Sequence, residues 1–511
     1  QSITDYKQRA ATLNHYPSLP DQLNHFYARF DRLNTTPVQA FDDSDGDLPP
    51  PFTVEESQVK LLLKKQNPRK AAGPDGVSTS CLRSCADQLT PVFTDIFNRS
   101  LVQGKVPACF KASTIVPVPK KAKVSSLNDF RPVALTSVVM KVFERIVLQF
   151  LKLVTDSQFD PLQFAYRANR SVEDAVGLTL HRVLGHLETA GAYARILFID
   201  YSSAFNTIVP QKLYDKLLSM NVHPHMCRWT LDFLLNRSQV VRCDGRFSGR
   251  LILNTGTPQG CVLSPFLFTL FTNDCRSGHE SVLLVKFSDD TTAAGCVTNG
   301  DESVYRGEVG RLVDWCDANN LELNVSKTKE VIVDFRKVKT PMLPLVIKDQ
   351  AVEVVQSFKF LGSVISNDLR WEENTSGVRK KSQQRMFFLR QLKKFGVSQN
   401  ILLQFYRAII ESVLTYSLTT WYGSTSQQDK TDLERVVKTA SKIVGCDLPS
   451  LETLYHQRVL RRAKSIISDV SHPASHLFQL LPSGRRYRHI KCRTKRMQTS
   501  FFPEAVRQVL Q

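Results

Sequence analysis

Ala194-Arg195-Ile196-Leu197-Phe198-Ile199-Asp200, continuing as Tyr201-Ser202-Ser203-Ala204-Phe205, is the stretch on which the fold turns. A continuous run of this length and composition predicts a strand buried on both faces. It ends on a carboxylate, which is costly in such a place unless a cation meets it. Further along, SVLLVKFSDDTTAAGCV (281–297) sets two apolar strands around Ser288-Asp289-Asp290-Thr291, the pattern of a hairpin with acidic residues at its tip. Adjacent carboxylates repel one another. Asp200, Asp289 and Asp290, converging from neighbouring strands, suit two Mg²⁺ ions about 3.5 to 4 Å apart, an arrangement that serves in-line phosphoryl transfer. The bland reading makes Asp200 a turn cap and Asp289-Asp290 a solvated turn. It competes evenly for either motif alone and poorly for the two together.

Working outward, SVEDAVGLTLHRVLGHLETAG (171–191) has helical periodicity and starts on Ser171, with Asp174 at the capping-box position. Upstream, Thr53 is read as the N-cap of a short helix, a helical stretch spans about 79–104, ASTIVPVPKK is extended and SVVMKVFERIVLQFLKLV is helical. Downstream come helices around 211–221 and 224–235, strands at VVRC and RLILN, a buried helix in CVLSPFLFTLF, an amphipathic helix in ESVYRGEVGRLVDWCDANN and a strand in KEVIVDF. This alternation predicts an α/β fold in which strands distant in sequence share a sheet. From about Asn374 the strands stop, and a basic, almost entirely helical region follows. The acidic FDDSDGDLPPP before Thr53 reads as a linker, so 1–52 is expected to be a linker or partly disordered segment.

The chain has 511 residues, enough for a multi-lobed architecture, and 67 Lys and Arg against 48 Asp and Glu give a net charge of +19. Most of that excess lies in the helical C-terminal region. The balance favours polyanionic partners, nucleic acid first. No apolar run approaches a bilayer span and no secretory signal is evident, so an intracellular location, nucleus and cytoplasm, is expected with no membrane partner. The eleven cysteines are scattered and read as buried thiols of a reducing compartment. Cys81 and Cys85, or Cys446, His472, His476 and Cys492, reproduce no paired zinc spacing. Position 1 is Gln rather than Met, so the chain reads as a fragment or a processed product.

FIDYSSAF, TPQGCVLSP, FSDD, LELNVSKTK and FKFLGSVIS stand in the order of the reverse transcriptase core motifs. With KAAGPDGV, VPVPKK, DFRPVALTS and QFAYRANRS upstream, the chain over about 50–440 resembles the non-LTR, LINE-type retrotransposon reverse transcriptases. The resemblance implies a right-hand polymerase: fingers and a ferredoxin-like palm sheet over 53–370, a helical thumb over 371–445 and a basic helical region over 446–511. It implies RNA-directed DNA synthesis from dNTPs on a DNA primer copying an RNA template, with Mg²⁺ (or Mn²⁺ in substitution) at Asp200, Asp289 and Asp290 and at the Tyr201 carbonyl.

The same resemblance implies further roles. Phe205 occupies the steric-gate position that rejects a 2′-hydroxyl; Gln259 and Gly260 lie where nucleotide and template are contacted. Lys120 and Arg131 match triphosphate-gripping positions, although Lys121 and Lys123 leave the register of the lysine open. Lys327 matches a lysine that protonates the leaving pyrophosphate. Phe360, Leu361 and Gly362 lie in the primer-grip hairpin. On the basic helices Arg379, Lys380, Lys381, Arg385, Lys393 and Lys394 are expected to follow phosphates, and Arg485, Arg486 and Arg488 to add phosphate contacts, with Tyr487 available for stacking. The chain departs from the family in Ser288 for the usual Ala, and in Ala165-Tyr166 for the usual Gly-Phe. No endonuclease segment is expected within it. The reading from a different class is a catalytically silent, co-opted nucleic-acid-binding relic of the same fold.

Overall fold

The computed structural model describes residues 18–34, 36–37, 50–339 and 341–509. The chain forms two compact units. The first is Gln1–Phe159, Tyr201–Asp274 and Trp315–Glu322; the second is Asp160–Asp200, Cys275–Asp314 and Leu323–Gln511. Strands are numbered along the chain.

In the first unit, β1 (Ser113–Pro119) pairs antiparallel with β2 (Phe130–Thr136) and parallel with β4 (Arg237–Cys243), which in turn carries β5 (Arg246–Phe247) and β6 (Leu251–Leu253). Helices Thr79–Ser84, Ala86–Gln103, Val138–Thr155, Pro210–Ser219, Pro224–Leu234 and Ser264–Phe271 fill the unit, close to the predicted bounds. The helix predicted to start at Thr53 runs Glu56–Lys64 and is capped by Glu55, whose carboxylate and the Gln58 side chain form the capping box. Glu144 is fully buried. It accepts the Val262 and Leu263 amides at 2.6 and 2.8 Å, so it caps the turn entering helix Ser264–Phe271.

One correction falls on the N-terminal segment. Within the 1–52 stretch read as linker, Leu19–Tyr27 is an α-helix followed by a 3₁₀ segment, Ala28–Leu33. Leu19, Leu23 and Tyr27 recur at helical spacing and share a small core with Ile115, Phe130, Ala134 and Val241. Asn24 donates to the Ser248 hydroxyl at 3.0 Å and accepts from Gln239 at 2.8 Å. Polar residues between the apolar positions hid this face from a compositional reading. The acidic stretch at 41–49 lies outside the described residues.

The second unit is built on a sheet in the order β12 (Glu353–Val354), β9 (Lys329–Val333), β3 (Ala192–Ile199), β8 (Asp290–Thr298) and β7 (Val282–Phe287). β3 is central and buried at every position, as its composition predicts. Its antiparallel neighbours β8 and β9 follow it in sequence by about a hundred residues or more, the arrangement expected of sequence-distant strands in one sheet. Arg195, fully buried within that apolar run, pairs with Glu330 of β9 at 2.6 Å and with Glu302 at 2.5 Å; Tyr305 donates to Glu330 at 2.6 Å. Burial disfavours the Arg195 charge, but the carboxylates of Glu330 and Glu302 more than offset it and raise the guanidinium pKa. β10 (Val346–Ile347) with β11 (Gln350–Ala351), and β13 (Ser357–Phe360) with β14 (Ser363–Ser366), form two hairpins.

Helix Val172–His186, started by Ser171 and Asp174 as predicted, packs on β7, β3 and β8. After Trp371 the chain is mainly helical: Glu372–Lys394, Gln399–Phe405, Gln427–Val444, Leu451–Ile467 and Phe501–Val509. The mixed α/β fold with a helical C-terminal region is therefore as expected. The division at 445/446 is not visible as a break in the core. Leu389 and Val437, Tyr455 and Ala463, and Phe501, Phe502 and Val506 all belong to one apolar cluster with Ile196 and Phe198 of the sheet. Phe501 and Phe502 close on Gly177, and Phe502 meets the His181 ring edge-on at 5.0 Å. Amphipathic faces spaced along separate helices give no sequence sign of joining a distant sheet.

Candidate active site

Asp200 follows the last residue of β3, and its backbone is clasped by the loop before β9. The Asn324 amide donates to the Asp200 carbonyl at 2.8 Å, and the Asp200 amide donates to the Thr328 hydroxyl at 3.3 Å. The Lys327 ammonium stands 3.6 Å from the Asp200 carboxylate, both side chains being partly exposed. FID and NVSKT thus form one structural unit.

Phe287 pairs with Asp290, leaving Ser288-Asp289 as a two-residue turn with φ +60° at Ser288. A short side chain there tolerates the left-handed region better than a β-branched one would. Asp290 keeps exposed surface yet is crowded on one side. That desolvation, followed by repulsion from Asp289 and then Asp200, raises its carboxyl from 3.8 to about 6. Asp290 therefore feels the charge of both other carboxylates. Among the described residues, no three His, Cys, Asp or Glu side chains converge closely enough to hold a metal ion as they stand. Lys327 is the counter-charge that the chain itself sets beside this group, at Asp200. The donor chemistry still fits a hard divalent cation: all-oxygen carboxylates whose mutual repulsion such an ion relieves.

QFAYRANRS supports the same hairpin. Phe164 donates to the Lys286 carbonyl and Lys286 to the Leu162 carbonyl, both at 2.9 Å, so the segment lies along β7 as a short parallel bridge. Gln163 accepts the Ser288 amide at 3.2 Å, and the Tyr166 and Ser288 hydroxyls lie 3.2 Å apart. Lys286, buried, reaches Asp160 at 2.9 Å. On the other side of β3, Phe198 stacks on Phe358 at 4.2 Å and meets Phe360 at 5.2 Å, which fixes the β13–β14 hairpin to the strand that carries Asp200. At the hairpin tip Leu361 and Gly362 take φ +46° and +94°, and Tyr416 donates to the Leu361 carbonyl at 2.7 Å. A Cβ at Gly362 would lie 2.7 Å from that ring. The second unit therefore brings together Asp200, Asp289, Asp290, Lys327 and the Phe360–Gly362 hairpin.

The positions expected to contact the nucleotide belong to the first unit. Tyr201 and Phe205 are half-buried, and the Phe205 ring lies 5.0 Å from Phe268. The Phe205 carbonyl accepts the Thr257 amide at 2.7 Å, so the Phe205 turn and the TPQG loop are held to each other. The Ala134 amide donates to the Gln259 carbonyl at 2.7 Å, and at Gly260, with φ +124°, a Cβ would stand 2.7 Å from the Ala134 carbonyl. Only glycine permits that approach. Lys120 and Arg131 are exposed at one end of the β1–β2 hairpin, Val118 pairing with Arg131 and the Lys120 amide donating to the Asp129 carbonyl at 2.7 Å. Lys121 is drawn to Asp129 at 2.9 Å while the Lys120 ammonium donates to the Asn128 carbonyl at 2.7 Å.

One contact here is absent from the sequence reading. Arg29, held over the Phe26 and Phe30 rings at 4.0 and 4.1 Å, donates to the Ser203 hydroxyl at 3.3 Å, two residues from Phe205. Phe26 and Phe30, at i−3 and i+1, are a local sign of the ring contacts but not of Ser203.

On the basic helices, Lys380, Lys381, Lys393 and Lys394 are exposed. Arg379 is engaged by Asp432 at 2.8 Å and Arg385 by the Ile409 carbonyl at 2.6 Å. Arg379, Arg390, Arg435 and Asp432 line an open groove of about 340 Å³ between helices Glu372–Lys394 and Gln427–Val444. Arg485, Arg486 and Arg488 are exposed on a turn closed by a Leu480–Tyr487 bridge. Tyr487, between them, is half-buried, its ring edge-on to Phe478 at 6.4 Å against the border of the core.

Comparison with known proteins adds the lineage. Residues 118–365 match the family described as "Reverse transcriptase (RNA-dependent DNA polymerase)", and residues 371–412 match one described as "Alkylated DNA repair protein alkB homolog 8, N-terminal". The chain is 24% identical over 424 residues to the RNA-directed DNA polymerase from mobile element jockey of Drosophila melanogaster, covering 77% of this chain and 45% of that protein. It is 23% identical over 460 residues to the probable RNA-directed DNA polymerase from transposon X-element of the same species, covering 85% and 49%. A type-1 retrotransposable element R2 Pol polyprotein of Bradysia coprophila is 26% identical over 214 residues, 42% of this chain and 24% of that one. The chain thus spans about half the length of the first two relatives. Among solved structures, apo telomerase from Candida tropicalis aligns with a TM-score of 0.36 and 13% identity, over 56% of this chain and 59% of that one. Residues 118–365 are a reverse transcriptase domain, and the chain is related to the RNA-directed DNA polymerases of non-LTR retrotransposons.

Proposed function

We propose that this chain is an RNA-directed DNA polymerase of a LINE-type retrotransposon, which extends a DNA primer with dNTPs along an RNA template. The observation that carries the reading is the pairing of β3 with β8, Ile199 opposite Thr291, which sets Asp200 beside the Asp289-Asp290 turn within a reverse transcriptase domain. Asp200, Asp289 and Asp290, with the Tyr201 carbonyl, would hold Mg²⁺, or Mn²⁺ in its place. Bound there, such ions would supply activation of the primer hydroxyl and stabilisation of charge on the phosphates.

The chain's own residues do the rest. Lys327, already beside Asp200, gives its proton to the departing pyrophosphate. Lys120 and Arg131 neutralise the triphosphate. Phe205 excludes a 2′-hydroxyl, and Gln259 with Gly260 seats the nucleotide against the template. The Phe360–Gly362 hairpin holds the primer end. Lys380, Lys381, Lys393 and Lys394, with Arg379 and Arg385, follow the phosphates of the hybrid, and Arg485, Arg486 and Arg488 extend that track, so affinity falls as salt rises.

Primer extension on an RNA template tests the reading. Mg²⁺-dependent extension is expected from the wild type, with a loss of at least about a thousandfold in Asp289→Asn. Equal extension by the two proteins would remove the carboxylates from the chemistry. Tight hybrid binding without extension at any dNTP concentration would favour the silent, co-opted binding protein.

A further inference from the structure

The C-terminal region is joined to the loop that supports the acidic hairpin by a buried polar network. Arg170, 1% exposed, donates to Asp469 at 2.6 Å and to the Ser471 hydroxyl at 3.0 Å. Arg462, on helix Leu451–Ile467, forms an ion pair with Asp174, its Nε donating at 2.6 Å, and also donates to the Asn169 carbonyl at 3.2 Å. Asp174 is the residue that closes the capping box of helix Val172–His186. Burial alone would raise the Asp469 carboxyl, but bonds from Ser471 and Arg170 outweigh it and hold it below its usual value. His472 is buried beside them. Its desolvation, reinforced by Arg170 and Arg462, lowers its pKa to about 3, so it is neutral and accepts the Ala474 amide on Nδ1 at 3.1 Å.

This network grips one end of a loop whose other end touches the hairpin. Between Gln163 and Arg170 two non-glycine residues, Tyr166 and Asn169, stand at φ +59° and +54°. For a residue as bulky as Tyr166 such a backbone persists only where its surroundings hold it. Here Arg167 donates to the Asp160 carbonyl at 3.0 Å and Arg462 holds the Asn169 carbonyl. The loop then presents Gln163 to the Ser288 amide and Tyr166 to the Ser288 hydroxyl, one residue before Asp289.

We infer that Tyr166 and Arg170 are positioning residues of the acidic hairpin, and that Arg462 and Asp469 of the C-terminal region clamp them in place. The inference rests on the proposed role of Asp289 and Asp290, but its central measurement does not. The C-terminal helices then serve the chemistry through the hairpin as well as through any phosphate contact. The basic segment and the carboxylates are two ends of one mechanical connection.

Amide hydrogen exchange on the full chain, without substrates, reads the connection directly. Arg462→Ala and Arg170→Ala are expected to speed exchange at 287–290 by about tenfold while the interior of β3 is unchanged. Arg462→Lys, which keeps the charge, is expected to recover part of the protection. Should Arg170→Ala fail to fold, Asp469→Asn, which weakens the same ion pair without removing bulk, decides. Hairpin exchange equal to wild type in folded variants overturns the inference, whatever the polymerase activity. In primer extension Tyr166→Phe, which removes only the hydroxyl, is expected to lower kcat about tenfold with an unchanged KM for the template-primer and an unchanged Tm. An unaltered kcat would strike Tyr166 from the connection.

Discussion

Asp290 and Glu144 show how far a single carboxylate depends on its surroundings. Asp290 is raised to about 6 by partial burial and by its acidic neighbours. Asp289→Asn or Asp290→Asn should therefore abolish extension and yet stabilise the metal-free protein, by up to about 1 kcal/mol after solvent screening, measured by denaturant unfolding in EDTA. A loss of stability would mean that the cluster is not strained by its own charge. Glu144 is raised from 4.5 to about 7, chiefly by burial, although the Leu263 and Val262 amides pull it down. Its folded value lies above its unfolded one, so the folded state holds the extra proton between the two. Stability should fall as pH rises from about 4.5 to about 7 and level off above that. Glu144→Gln keeps an oxygen for both amides and should flatten that slope. At Phe205, replacement by Ala is expected to raise rNTP use relative to dNTP about 10- to 100-fold in competition assays. Phe205 was marked by the family resemblance, and the acidic residues were legible in the sequence because each sits in a short, local pattern. Arg29 was not, because its partner Ser203 lies 174 residues away.

At the scale of elements, β3 is where reading and structure agree best and also where they part. Its apolar run predicted a doubly buried strand, and the sheet places it centrally. The same run contains Arg195, and nothing local announces that Glu330 and Glu302 will meet it. A buried pair with one partner removed leaves an uncompensated charge, so Glu330→Gln should cost about 3 to 5 kcal/mol in chemical denaturation. A cost below about 1 kcal/mol would show that water or Glu302 alone suffices. Helix Leu19–Tyr27 was hidden for another reason: its apolar residues are few and spaced a turn apart, and its polar Asn24 is buried through Ser248 and Gln239. Hydrogen-bonded polar residues at an interface look like solvent-facing ones until the partner is known.

For the molecule as a whole, the alternation of strand and helix patterns pointed correctly to a mixed α/β chain with a basic helical end, but not to the way that end is used. The sequence reading sets 446–511 apart as a basic helical region, whereas Phe501, Phe502 and Val506 complete the core beneath helix Val172–His186. Ending the chain at 445 should therefore expose that core and leave an insoluble or molten second unit, seen as loss of cooperative thermal unfolding. A cooperative melt like that of the full chain would return the C-terminal helices to the status of an appendage. Whether this molecule copies RNA into DNA is tested most directly by sequencing the DNA made by the wild-type chain, with dNTPs and Mg²⁺, on two RNA templates that differ at known positions. Products complementary to each template at those positions are expected; untemplated products, or none while the template-primer remains bound, would overturn the proposed activity.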